Sequence, residues 1–231
     1  MKMSRCGHVL LIAAGVGVLL EAVPRRERTP EPEAIELPLD GARAGRIRIE
    51  HGAGRLRIGP SAPEGMLVVG TTVGPAEQDS RRTGDELDVR LRRSWRMGRS
   101  RYGPADWRLG LSTEVPLSLE LRTGAGESLV DLSGLKLTEL VVRTGATNTE
   151  ITLPEKGRVS ASVSAGAAKV VICVPAAVAA RIRQRTGIAG FDVDTSRFPR
   201  SEGGHESPGF DRAEDRVDLD IEGGAAGFEI R

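Results

Sequence analysis

Leu121–Leu132 reads LRTGAGESLVDL. Twenty-one residues on, Val142–Leu153 reads VRTGATNTEITL, and at the same interval Val163–Val174 reads VSAGAAKVVICV. Self-similarity at a fixed interval is the mark of a stacked structural unit; a catalytic loop or a phosphate loop has no reason to recur. The first glycines of the motif are Gly124, Gly145, Gly166 and Gly187. Aliphatic residues alternate on both sides. Leu119 and Leu121 precede Gly124, and Val130 and Leu132 follow it. They are matched by Leu140, Val142, Ile151 and Leu153, then by Ala161, Val163, Ile172 and Val174. Around Gly187 the pattern reads Ile182 and Gln184 before, Val193 after.

Alternation at period two describes strands with one face turned inward. A repeat of 21 residues is too short for the paired helices of the common helical repeats. The spacing therefore predicts an all-β fold, a single-stranded parallel β-helix (β-solenoid) with coils of about 21 residues. The aliphatic columns would form its core. Glycine at each corner allows a left-handed dihedral and close approach of coils, so a β-branched residue in place of Gly145 is expected to destabilise the chain.

The motif recurs near both ends. Ile47–Ile58 reads IRIEHGAGRLRI around Gly52, and Leu219–Ile230 reads LDIEGGAAGFEI around Gly224. Their offsets from Gly124, 72 and 100 residues, are not multiples of 21. Insertions are therefore expected to interrupt the ladder, near 74–109 and near 196–214. The second is polar and glycine-rich and reads as a surface loop.

The N-terminal stretch differs in character. Lys2 and Arg5 precede the apolar run Val9–Leu20, short for a membrane span but suited to an export signal or a short anchor. Residues 1–23 read as that signal or anchor. Residues 24–42 read as a proline-rich tether, its last few residues able to pair as a strand, and 43–231 as the solenoid domain. The expected location is the bacterial cell envelope, membrane-anchored or exported; a cytoplasmic protein follows only if the N-terminal run is not a targeting segment.

A net charge of +1 and an aromatic content of 3% give no general pull toward nucleic acid and no base-stacking platform. The glycine motifs lack the spacing of dinucleotide and phosphate loops. His8, His51 and His205 form no metal-binding or zinc-protease pattern, and Cys6 and Cys173 form no ligand cluster. No serine occupies a nucleophile elbow. No catalytic residue, metal site or cofactor is therefore assigned. Asp131, Asp192, Asp194, Asp218, Asp220 and Glu222 alternate with aliphatics, which places them on an outer, wet face. Thr152 and Cys173 interrupt the column of Asp131, so no acidic ladder forms. The most distinctive surface feature is the stretch from Arg92 to Arg108. Arg92, Arg93, Arg96, Arg99, Arg101 and Arg108 interleave with Trp95, Tyr102 and Trp107; with Asp106 the stretch carries a net +5. Such a patch suits an anionic lipid surface or a protein groove. The same composition also fits a solvated hairpin whose tryptophans fold back over one end of the solenoid.

The stretch Leu117–Pro175, LSLELRTGAGESLVDLSGLKLTELVVRTGATNTEITLPEKGRVSASVSAGAAKVVICVP, resembles the bacterial LiaF-like C-terminal domain, also called the toast-rack domain. Glycine-alanine corners, the DLSGLKL coil and the LPEKG turn carry the resemblance, together with the closing IEGGAAGFEI. It implies a β-helical fold, association with the cell envelope and, for some members, a role in envelope stress signalling. It implies no catalytic residues. The resulting expectation is a non-enzymatic interaction or scaffold module whose partner is an envelope or membrane protein, or anionic lipid. Two alternatives remain open at this point: a self-assembling scaffold similar to bactofilins, and a polysaccharide-active β-helix enzyme.

Overall fold

A computed structural model describes residues 32–74, 76–93, 105–185 and 190–231. Its strands are β1 (Pro32–Pro38), β2 (Ala44–Gly59), β3 (Met66–Val73), β4 (Ala76–Thr83), β5 (Glu86–Arg93), β6 (Ala105–Leu111), β7 (Leu117–Asp131), β8 (Leu137–Thr152), β9 (Arg158–Ala165), β10 (Lys169–Cys173), β11 (Ala179–Gln184), β12 (Gly190–Val193), β13 (Arg200–Ser201), β14 (Gly204–Glu206), β15 (Arg216–Gly223) and β16 (Gly227–Ile230). One 3-10 turn, Phe210–Arg212, completes the described elements.

The all-β expectation holds. Strands β2, β7 and β8 each run through a glycine motif without a break. The remaining coils are pairs of shorter strands on either side of it. Neighbouring coils pair in parallel, and between β7 and β8 the register is the repeat interval itself: Leu119 faces Leu140, Leu121 faces Val142 and Val130 faces Ile151. The same columns continue through Ala161 and Val163 on β9 and Ile172 on β10. Their side chains form one core, in which Leu119, Leu140, Leu153, Ile172 and Val174 are all buried.

The order of coils departs from the order of the chain at both ends. Strand β2 lies between β7 and the β5–β6 pair, with Ile47 opposite both Leu119 and Val89. The last coil, β15–β16, lies between β9–β10 and β11–β12, so Leu219 faces Ala161 on one side and Ile182 on the other. The expectation that insertions merely interrupt a sequential ladder is therefore corrected. At each end, the first or last coil of the chain is enclosed, and the coil joined by the longer excursion lies outermost. One feature favours the C-terminal exchange. Gln184 occupies an inward column opposite Ile221, which suits an end coil better than an enclosed one. On the outer face Arg181 and Arg183 of β11 meet Asp218 and Asp220 of β15, a pairing that either order of the two coils would keep.

The ends are finished differently. Strands β6, β3 and β1 continue one side as an antiparallel flank, with β1 outermost and a proline at each of its ends. Ile35, Leu37, Leu39 and Ala42 are buried in the core, so the expected boundary of tether and domain at 42/43 is corrected: the folded body already includes β1. The β4–β5 hairpin closes the neighbouring edge, and β4 displays Gln78, Asp79, Arg81 and Arg82 to solvent. At the other end, the stretch expected as a surface loop instead contributes two plugs. Phe198 and Phe210 are buried. Arg181 stacks over the Phe210 ring at 4.1 Å and reaches Glu206 and Asp211. The polarity of this segment concealed two aromatic anchors spaced to fold under it.

The core also holds polar groups at the corners. Thr123 donates to Thr144 at 3.0 Å; Thr144 and Thr147 share a hydrogen bond, and Thr147 and Thr149 another at 2.8 Å. This chain of hydroxyls gives each buried oxygen a partner, as a low-dielectric interior demands.

Candidate interaction surface

The corner glycines form one column along the stack. A Cβ at 124 would lie 2.3 Å from the carbonyl oxygen of Gly52, and one at 145 would lie 2.4 Å from that of Gly124. At 166 the distance to the Gly145 oxygen is 3.1 Å, and at 224 the distance to the Gly166 oxygen is 3.9 Å. Gly187 lies outside the described residues. Close approach, not handedness, is what these positions require. The left-handed dihedrals occur two residues further on, at Gly54 (φ 130°) and Gly126 (φ 122°), so of the two expected reasons for glycine at the corners the close approach of coils holds and the dihedral is corrected.

Because the column carries no side chains, it forms the floor of two shallow grooves that share Arg122 and Thr123. One, about 630 Å³, runs over Gly145, Gly166 and Gly224 beside Arg143 and Glu222. The other, about 600 Å³, runs over Gly52 and Gly124 beside Glu50, Glu77, Arg92 and Arg93.

The arginine-rich stretch divides sharply. Arg92 is exposed and pairs with Glu77 at 2.7 Å. Arg93 is half-buried, and Arg108 is exposed, 3.7 Å from Asp106. Trp95, Arg96, Arg99, Arg101 and Tyr102 lie outside the described residues. Trp107 does not belong to a surface at all: it is 0% exposed and continues the inward column of Leu56 on β2. Its inclusion in a contact patch is therefore corrected. Trp107, Leu109 and Leu111 alternate inward on β6 while Arg108 points out.

Ion pairs between coils cover much of the outer face. Arg46 meets Glu86, Arg48 meets Asp88 and Glu120, and Arg55 reaches Asp106 and Glu127. Asp218 and Asp220 are engaged by Arg181, Arg183 and Arg185. Glu120 sits among Arg48, Arg122 and Arg143. Partial burial alone would raise its carboxyl, but these guanidiniums outweigh that and hold it below the ordinary value of 4.5. Folded and unfolded chains therefore bind protons differently, and the stabilisation is present above about pH 4.5 and lost as pH falls further. Glu120→Gln is expected to cost about 1 kcal/mol or less at pH 7, the range for solvent-screened pairs. The difference from the unsubstituted chain should vanish in strong acid, as read from urea midpoints at several pH values.

Among the described residues, no three His, Cys, Asp or Glu side chains converge to hold a metal ion. Also among the described residues, no helix is long and apolar enough to cross a membrane. Cys173 is a free, half-buried thiol, 3.4 Å from Arg231 Nε.

The family model described as the N-terminal domain of toast_rack, DUF2154, matches residues 26–173. The chain belongs to the toast-rack family. The match begins before β1 and ends with β10, so it includes the N-terminal exchange of coils. No curated protein matches the toast-rack chain. A crystal structure described as that of "a putative cell adhesion protein from Clostridium sporogenes" is similar with a TM-score of 0.76 at 18% identity, covering 87% of this chain and 98% of the other. At that identity the likeness shows the fold, which the toast-rack chain shares along almost the whole of the neighbour.

Proposed function

We propose that the toast-rack domain is a non-enzymatic interaction module of the cell envelope, a single-stranded parallel β-solenoid with coils of about 21 residues. Residues 1–23 direct it to or through the membrane, residues 24–31 space it from there, and the chain from β1 onward forms the binding body. The observation that carries this reading is the likeness, over 87% of this chain and 98% of the other, to a structure described as that of "a putative cell adhesion protein". The family points the same way, toward a non-catalytic role. The partner is an envelope or membrane protein, or anionic lipid, and the contact is the arginine-rich stretch from Arg92 to Arg108, without the buried Trp107.

Two observations count against the alternatives. A filament needs bare strand edges at both ends, and β4 presents a charged edge instead. A glycosidase needs two carboxylates facing each other across the scissile bond. Asp218 and Asp220, neighbours on the outer face, are tied to arginines.

The test is binding of the full-length chain to phosphatidylglycerol vesicles and to partners captured from the envelope, at rising salt. Replacing Arg96, Arg99 and Arg101 by Ser should leave the melting temperature unchanged and abolish salt-sensitive binding. Arg92 and Arg93 are spared because the first pairs with Glu77 and the second is half-buried. Binding that survives the triple change, or never depended on salt, places the contact elsewhere.

A further inference from the structure

His51 extends the inward column of Ile47 and Ile49 on β2. The next two coils carry Thr123 and Thr144 in that column, so an imidazole stands where its neighbours hold hydroxyls. The side chain is 2% exposed. Its ring meets that of Trp107 edge-on, with centroids 5.3 Å apart and planes at 71°. The ring is hydrogen-bonded to the backbone of Ala105, and Nε2 has no partner. Trp107 Nε1 and Thr72 Oγ1, on paired strands beside it, are also buried without partners.

A neutral imidazole can occupy this place with its single N–H on the Ala105 carbonyl. An imidazolium cannot do so cheaply, because it adds a full charge and a second N–H at Nε2, which has no hydrogen-bond partner in this arrangement. The groups facing the ring do not rescue it. Arg93 of β5 repels the added charge, and Asp106 of β6 attracts it. Asp106 lies near Arg55 and Arg108, although its buried Oδ1 accepts no hydrogen bond, and Glu50 and Glu77, which line the groove beside the ring, are paired with Arg90 and Arg92. Thr123 of β7 and Thr72 of β3 carry no charge.

We propose that His51 is an acid-operated latch: its protonation releases the outermost coil, β5–β6, from β2 while the coils from β7 onward stay stacked. The ring bridges β2 and β6, so its expulsion acts on that junction. The inward columns of β7 and β8 hold threonine at this position and do not respond. Burial holds the His51 ring below its ordinary 6.5. The unfolded or released state therefore binds the extra proton, and the latch is closed above about 6.5 and opens as pH falls through the acid range. That window lies above the one set by Glu120. The device is independent of the proposed partner, because it concerns the joint between two coils.

The experiment uses the full-length chain with Trp95→Phe, which leaves Trp107 as its single tryptophan. Between about pH 8 and pH 5, Trp107 emission should shift to the red and acrylamide quenching should rise several-fold, reversibly, with most of the far-ultraviolet strand signal retained. In the same background, His51→Phe should abolish the shift. So should His51→Thr, which places at 51 the residue that the next coils carry and guards against a misfolded first variant. The proposal is overturned if both variants, folded at pH 8, keep the transition. It is equally overturned if Trp107 becomes exposed only when the whole chain unfolds.

Discussion

Replacing Gly145 by alanine destabilises the domain by about 3 kcal/mol, and by valine more, at the upper end of what overpacking costs. The reason is a carbonyl oxygen. A methyl group at 145 would sit 2.4 Å from the Gly124 oxygen, in the coil beneath. To make room the two coils must part, and parting them stretches a run of parallel hydrogen bonds on both sides of the corner. The column supplies its own controls. Gly166→Ala, with 3.1 Å to the next oxygen, should cost about 1 kcal/mol, and Gly224→Ala, with 3.9 Å, close to nothing. At 224 the loss of chain entropy in the unfolded state offsets what little crowding remains. Urea midpoints of the three alanine variants would rank them. Equal effects at all three would dismiss coil contact as the cause.

The second large effect is at Trp107. Truncation to alanine removes a side chain that is 0% exposed at the junction of β2, β3 and β6. The expected loss is about 3–5 kcal/mol, the range for large aromatic residues in cores. Arg108→Ala, one residue along and exposed, should stay within about 0.5 kcal/mol. Chemical denaturation of the two variants separates a core anchor from a contact residue. A Trp107→Ala chain of unchanged stability that loses a binding partner would return the indole to the surface.

These two sites show what could be read in the chain and what could not. The columns from Leu119 to Val174 were legible because inward aliphatics alternate at a constant interval, and a one-residue slip would turn each of them outward. The order of the end coils was not. Val217, Leu219 and Ile221 fit between β9 and β11 as well as they would fit outside β11, because aliphatic columns are interchangeable. What distinguishes the places is Gln184 in an inward column, a residue suited to the end coil. Trp107 and His51 were both readable from alternation alone. Each continues an inward series, although a run of arginines surrounds one and a corner glycine follows the other. Part of the contact stretch, from Trp95 to Tyr102, lies outside the described residues, so its reading remains one from composition.

The exchange of coils has a mechanical consequence for a domain held from its N-terminal side. Tension entering there meets β1 first, an edge strand bonded on one side to β3. Antiparallel edge pairs open one after another, so β1 should peel at low force. The next strand in line is β2, clasped by β7 along one flank and by β5 and β6 along the other. It cannot unzip. Both rows must slide or give way together. Pulling single molecules from residue 32 should therefore show a weak early event followed by a much stronger one, and two events of equal force would contradict the clasp. A tethered body built this way yields a little slack before it resists.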